Sequence, residues 1–492
     1  MAEPFKIVIG LEVHVQLLTK TKLFCGCRNK FGQPPNTATC PVCLGLPGAL
    51  PVMNREAFRL ALKAALALNC QLAGFTKWDR KQYYYPDLPK NYQISQYDLP
   101  FSHDGWLDIP GKRVGIIRAH LEEDAGKNLH DESGRGGDTK VDLNRTGTPL
   151  LEIVSHPEMN SAEEATAYLE EIRLMMRELG VSDCEMQEGS LRCDANVNLH
   201  VPIPGIAGVP PASSFAATPL VEIKNLNSFR AVGRAIKYEA ERQFKEYEKD
   251  PTGYRIEKIA KTTAGWDEAK GRTEVQRHKE EAADYRYFPD PDLVPVIVSA
   301  EQIKAVRAEM GELPQHQRTR LVKQYSLSEY DAEVLTAKGR VIVAYFEAVA
   351  GLLGDAKAAV NRMSDLIFPA LAERKEDIDA FPIAAAAFAD LIKKTVALSK
   401  QDRIDLMAHM LEHRVDVDAA MQTTGIKPQT FDDVTLRVAV VAAIAANPNA
   451  VADFKKGKDA AKMSIVGAVM KANKGAPNDI VRKLVDEEMV KV

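Results

Sequence analysis

The sequence predicts an α+β protein: a mixed or antiparallel sheet over the first 295 residues, then an all-α remainder. Two observations carry this. Strand-like segments follow one another without the regular helical crossovers that a parallel sheet requires. After the break at Pro289-Asp290-Pro291 the composition turns Ala-rich and helix-forming. At roughly 150 residues per domain, 492 residues leave room for about three. The expected division is residues 1–295, 296–415 and 416–492, with a further break signal at Gly425-Ile426-Lys427-Pro428.

Bulk properties narrow the class. A net charge of -4 excludes a basic coat over the whole surface, so any RNA contact has to be a local patch. Seven cysteines, four of them clustered, favour reduced thiols or a metal over a disulfide framework. No basic region followed by an apolar run stands at the N-terminus, and the apolar run from Val438 to Ala446 is too short to span a bilayer. The expectation is a soluble, cytoplasmic chain with no membrane partner.

The first strand is Ile9-Gly10-Leu11-Glu12-Val13-His14-Val15-Gln16-Leu17. Alternation places Glu12, His14 and Gln16 on one face and apolar residues on the other. That polar face is either simply wet or able to bind a cation or handle a proton. Next come Cys25-Gly26-Cys27 and Cys40-Pro41-Val42-Cys43, two close pairs separated by a polar, Pro-containing loop. This is the pattern of a zinc knuckle, and four thiolates close the coordination shell, which makes the ion structural. Asn54 is expected to cap a helix running to Leu68.

Residues 77–93 interleave aromatics and bases around two prolines, including Lys81 and Tyr83-Tyr84-Tyr85. The loop suits either base stacking with phosphate contacts or rigid aromatic packing. In Arg118-Ala119-His120-Leu121-Glu122-Glu123-Asp124, three successive carboxylates repel unless solvated or shared with a cation. Leu150-Leu151-Glu152-Ile153-Val154 carries one acid inside an apolar strand, costly to bury without a partner. A helix opens at Ser161 and ends at Gly180. Two further strands each put polar groups on one face, Arg192, Asp194, Asn196 and Asn198 in the first and Glu222 with Lys224 in the second.

Four strands thus offer acids, amides and a lysine, a set that suits Mg²⁺ and a nucleotide phosphate. No Gly-x-x-x-x-Gly-Lys-Ser/Thr loop is present, which argues against a P-loop ATPase. A basic helix from Ser228 to about Lys249 and lysines at 455, 456, 458, 462, 471 and 474 are either solvated faces or phosphate contacts.

Several blocks resemble one family, the B subunits of glutamyl/aspartyl-tRNA amidotransferases (GatB). They are IGLEVHVQL at 9–17, KNYQISQYDLP at 90–100, RAHLEEDAGK at 118–127, DLNRTGTPLLEIVS at 142–155, EGSLRCDANV at 188–197, VEIKNLNSFR at 221–230 and DYRYFPDPDL at 284–293. The stretch GKDAAKMSIVGAVMKANKG resembles the family's YqeY-like helical tail. The resemblance implies a cradle domain that uses ATP to phosphorylate the side-chain carboxylate of Glu-tRNA(Gln) or Asp-tRNA(Asn). It implies a heterotrimer, in which ammonia released by the glutaminase component, GatA, gives the amide and a third component, GatC, wraps the other two. It implies metal held by Glu12, His14, Glu123 and Glu152, a second nucleotide-linked position at Asp194 and Glu222, and roles for Lys224, Asn196 and Lys81. The competing expectation is a tRNA-binding scaffold with no chemistry of its own.

Overall fold

The computed structural model describes residues 4–129, 138–203, 215–278, 285–427, 433–455, 458–473, 476 and 478–491. Asp284, Pro428, Lys456, Gly457 and Lys474, each singled out in the sequence, lie outside them. The chain divides into two compact units, Met1–His316 and Gln317–Val492.

The first unit is built on a ten-stranded sheet. Its strands in chain order are β1 (Lys6–Gln16), β2 (Gln71–Leu72), β3 (Ser102–Ile109), β4 (Lys112–Glu123), β5 (Pro149–Ser155), β6 (Leu191–Pro202), β7 (Phe215–Ala217), β8 (Val221–Lys224), β9 (Thr262–Asp267) and β10 (Arg272–His278). The spatial order is β10-β9-β8-β6-β1-β5-β4-β3-β2, with β7 beside β6. Every pairing is antiparallel except β8 with β9, which makes the sheet mixed.

Alternation along β1 fixes which face is which. Ile9, Leu11, Val13 and Val15 are fully buried and join a core with three helices. These are α1 (Arg55–Ala67), α2 (Ala162–Glu178) and α3 (Phe229–Lys249), which supply Leu60, Tyr168, Leu169, Ile172, Val232 and Ile236. Each helix starts where its capping residue stands. Asn54 Oδ1 accepts from Glu56 and Ala57, Ser161 Oγ from Glu164, and Ser228 Oγ from Ala231. The helices take the apolar face, so the polar side chains of the same strands are left on the other.

Two short strands of the aromatic loop, Asp79–Gln82 and Tyr92–Ser95, form a small sheet with Phe288–Pro289. Arg80 ties the pieces together, 2.8 Å from Asp290 and 3.0 Å from Asp292.

The second unit is helical throughout its described residues, with one apolar core between Leu321 and Ala420 and another between Leu436 and Met489. No single helix among the described residues is long and apolar enough to cross a membrane.

Leu11→Ala removes a fully buried side chain from the centre of the first core. It is expected to cost about 2–5 kcal/mol, read as a lower urea midpoint with unchanged slope.

Candidate active site: two carboxylate groups on one sheet face

Register assembles the site. His14 stands opposite Arg192 on β6 and Glu152 on β5, and Glu152 stands opposite His120 on β4. One row of side chains therefore runs Arg192–His14–Glu152–His120 across four strands. The next row sets Glu12 beside Asp194, and the one beyond sets Asn196 beside Glu222.

Two groups of ligand-bearing side chains result, His14/Glu122/Glu152 and Glu12/Asp194/Glu222. The ligand atoms within each group lie within 4.8 Å of one another. In the first, His14 Nε2 is 3.5 Å from Glu152 and 3.7 Å from Glu122, while His120 Nε2 is 3.5 Å from Glu152. Burial pulls His14 down, but its hydrogen bond to Glu152 and the charges of both carboxylates raise it to about 9. Burial lowers His120 to about 4, leaving it neutral at pH 7. Burial, then the charge of Glu152, raises Glu122 to about 7. Burial opposes ionisation of Glu152, yet both imidazoles and Lys81 hold it below the usual carboxylate range. An imidazolium thus balances these acids, and a divalent cation entering here would replace the His14 proton. One imidazole with two carboxylates is a donor set that Mn²⁺ accepts more readily than Mg²⁺.

Lysines balance the second group. Lys224 pairs with Asp194 and lies 2.9 Å from Glu222, whose other oxygen is 3.1 Å from Lys261. Burial would lower Lys224, but Asp194 and Glu222 raise it well above the ordinary lysine range. Asn196 Nδ2 donates to Glu12 Oε1 at 2.9 Å.

The three successive acids at the end of β4 and just past it point to three different places. Glu122 enters the first group. Glu123 does not: it faces the other way, pairs with Lys90 and accepts the Ile94 N–H at 2.9 Å. Asp124 is the counter-ion of Arg192 at 2.6 Å and also accepts from Gln16. Glu12, expected beside His14, lies instead with Asp194 and Glu222.

Lys81 borders the first group. Its Nζ lies 5.1 Å from the Tyr285 ring and 5.9 Å from that of Tyr83, and it has no carboxylate within ion-pairing distance among the described residues. Burial lowers its basicity, while Glu122, Tyr287 and Glu152 raise it. Among the described residues it is a cation held by tyrosine rings rather than by an ion pair, next to the first acidic group. In the second unit, Lys458 is 3.3 Å from Asp453, and Lys462 is 3.0 Å from Asp486 with its ammonium over the Phe454 ring.

Cys25, Cys27, Cys40 and Cys43 form a third ligand group. Burial together with a hydrogen bond to Cys40 pushes Cys27 up to about 11. A hydrogen bond from Cys25 outweighs burial and lowers Cys43 to about 5. Fully buried Lys22 lies 3.8 Å from the Cys43 sulfur. The knuckle is laced to the acidic strand end, with Leu23 N–H donating to Gly147 O and Gly147 N–H to Asp124 O, both at 2.8 Å. Gly147 has φ +82, and a Cβ there would sit 3.5 Å from Cys43 Cβ and 3.8 Å from Glu123. The turn's positive φ calls for glycine, while the Cβ distances are ordinary contacts.

With this geometry in place, comparison with known proteins is decisive. A family model described as "GatB/GatE catalytic domain" matches residues 7–304, and one described as "GatB domain" matches 344–489. The chain belongs to the GatB family. It is 50% identical to the B subunit of the aspartyl/glutamyl-tRNA(Asn/Gln) amidotransferase of Rhodopirellula baltica, over 99% of this chain and 98% of that protein. The proteins of the same description from Moorella thermoacetica and Caldicellulosiruptor saccharolyticus are each 45% identical, over 99% of this chain and all of theirs. Apart from Lys6 at the start of β1, the strands that carry both carboxylate groups fall inside the catalytic-domain match.

Lys224 pairs with Asp194 and lies 2.9 Å from Glu222, so removing its charge takes one positive neighbour from each acid. Lys224→Met is expected to tighten Mn²⁺ binding to the full-length chain by on the order of tenfold, read by titration under electron paramagnetic resonance.

Proposed function

We propose that this chain is the phosphorylating and amidating member of a tRNA-dependent amidotransferase. It acts on the side-chain carboxylate of Glu-tRNA(Gln), Asp-tRNA(Asn) or both. Its partners are the glutaminase component GatA, which supplies ammonia, and the third component GatC, and the aqueous tRNA substrate fits a cytoplasmic location. The observation that carries this reading is the convergence of five acids and two imidazoles from separate stretches of chain on one sheet face.

A carboxylate is a poor acyl donor because oxide is a poor leaving group. One of its oxygens attacks the γ-phosphorus of ATP, ADP leaves with the bonding pair, and an acyl phosphate forms. Ammonia then attacks the acyl carbon, phosphate departs with the C–O pair, and the nitrogen sheds its excess proton. Phosphoryl transfer needs alignment and charge neutralisation more than covalent help. Divalent cations, held by His14, Glu122 and Glu152 and by Glu12, Asp194 and Glu222, would supply the neutralising charge. Lys224 and Lys261 hold the second acidic group in place, and Lys81 is free to meet a phosphate oxygen. The tyrosines around Lys81 flank the acid face, where shielding an acyl phosphate would slow its hydrolysis. A scaffold without chemistry gains nothing from burying Glu122 and Glu152 so near each other.

The four-cysteine knuckle holds zinc in this reading, as a structural ion whose closed thiolate shell leaves no open position for substrate. Lys22 offsets part of its negative charge.

With the reconstituted complex, ADP formation is expected to require acylated tRNA. Glu122→Gln should lower kcat on the order of a hundredfold, whereas Glu123→Gln should act chiefly through the Lys90 contact and leave more activity. ATP turnover equal in Glu152→Gln and wild-type complexes would place the chemistry on another component. Replacing Cys40 and Cys43 together by serine is expected to abolish zinc in elemental analysis and to lower Tm by several degrees, on the order of 2–4 °C per kcal/mol for a unit of this size.

A further inference from the structure

Two buried side-chain oxygens on the sheet face of the second carboxylate group have no hydrogen-bond partner among the described residues. Thr263 is 6% exposed, and its Oγ1 is buried with no partner among the described residues. Asn196 Oδ1 is likewise buried and without one. Neither is placed at random. On β9, Thr263 stands opposite Glu222 on β8, and Glu222 stands opposite Asn196 on β6. Residues in register across neighbouring strands share a face, so Thr263, Glu222 and Asn196 form one row on the acid side of the sheet. The orientation of the Asn196 amide is fixed by chemistry: a carboxylate only accepts, so Glu12 takes the Nδ2 donor, and Oδ1 is turned away from it.

Buried polar atoms are nearly always paired, and each exception calls for an explanation, a bound ion or water among them. A hydroxyl and an amide carbonyl are hard, neutral oxygens, and hard divalent cations coordinate both. A threonine or serine hydroxyl serves Mg²⁺ in this way in P-loop sites. We propose that Thr263 Oγ1 and Asn196 Oδ1 are the neutral ligands of a divalent cation whose charged ligands are Glu12, Asp194 and Glu222. The inference rests on reading this group as a cation site. Together the three carboxylates and two neutral oxygens approach the roughly six oxygens that such a cation takes, leaving room for a phosphate oxygen or water.

Mn²⁺ binding to the full-length chain tests this, measured by electron paramagnetic resonance in a Glu152→Gln background that disables the His14 group. Thr263→Val keeps the shape and removes the hydroxyl; it is expected to weaken Mn²⁺ binding about tenfold, while Thr263→Ser stays within about twofold of the parent. If Thr263→Val binds as the parent does while Glu12→Gln has lost binding, the ligand assignment fails and the cation reading stands. If Glu12→Gln also binds as the parent does, the cation reading itself fails. Should Thr263→Val not fold, Asn196→Asp decides: a charged oxygen at a ligand position tightens Mn²⁺ binding, and no gain overturns the assignment.

Discussion

Like charges crowded on one face of a sheet are the constraint to which the rest of this fold answers. Glu12, Glu122, Glu152, Asp194 and Glu222 would repel one another at these separations unless each had a positive or hydrogen-bonding neighbour. The fold provides them in two different ways. Around Glu152 the neutraliser is a proton on His14, which can leave. Around Glu222 it is a pair of ammonium groups on Lys224 and Lys261, which can only move aside. Arg192 is drawn out of the first group by Asp124, keeping a permanent guanidinium from occupying the place of a mobile cation. The two carboxylate groups are therefore built from the same kind of acid but differ in how they would exchange charge.

Much of this face was legible in the sequence, because alternation in a strand is a local property. Glu12 with His14, Glu152 in its apolar run, and Asp194 with Asn196 each declare their side within a few residues. Choosing Glu123 over Glu122 shows where the signal weakens. Three consecutive acids carry no phase of their own; only His120, two residues before Glu122, sets which acid shares the face with it. How the acids are grouped was not legible either. Glu12 joins Asp194 and Glu222 through register between strands some 180 to 210 residues apart, as the pairings Glu12 with Asp194 and Asn196 with Glu222 require.

Lys261 and Thr263 were missed for a related reason. Lys261 precedes β9 and Thr263 is its second residue, and β9 joins β8 by the one parallel pairing among the described strands after a crossover through α3. Nothing in the local pattern Lys-Thr-Thr-Ala-Gly-Trp announces that neighbour. The aromatic loop, by contrast, was recognised for its chemistry but not for its strands. Its partner Phe288–Pro289 is some 200 residues away, and only together do they enclose the Lys81 ammonium in tyrosine rings.

The central position of β1 has a consequence for how this chain is made. Lys6–Gln16 leaves the ribosome ahead of the other nine strands of the sheet, yet both its neighbours, β5 and β6, come from beyond residue 148. At translation speeds of about 5–20 residues per second, Ile9, Leu11, Val13 and Val15 wait roughly ten to forty seconds before Pro202 has been added. Through that interval an apolar strand with both edges open has no native partner, the condition under which nascent chains pair wrongly or call on holdase chaperones. A sheet centred on its earliest strand leaves its most hydrophobic face longest in the company of strangers.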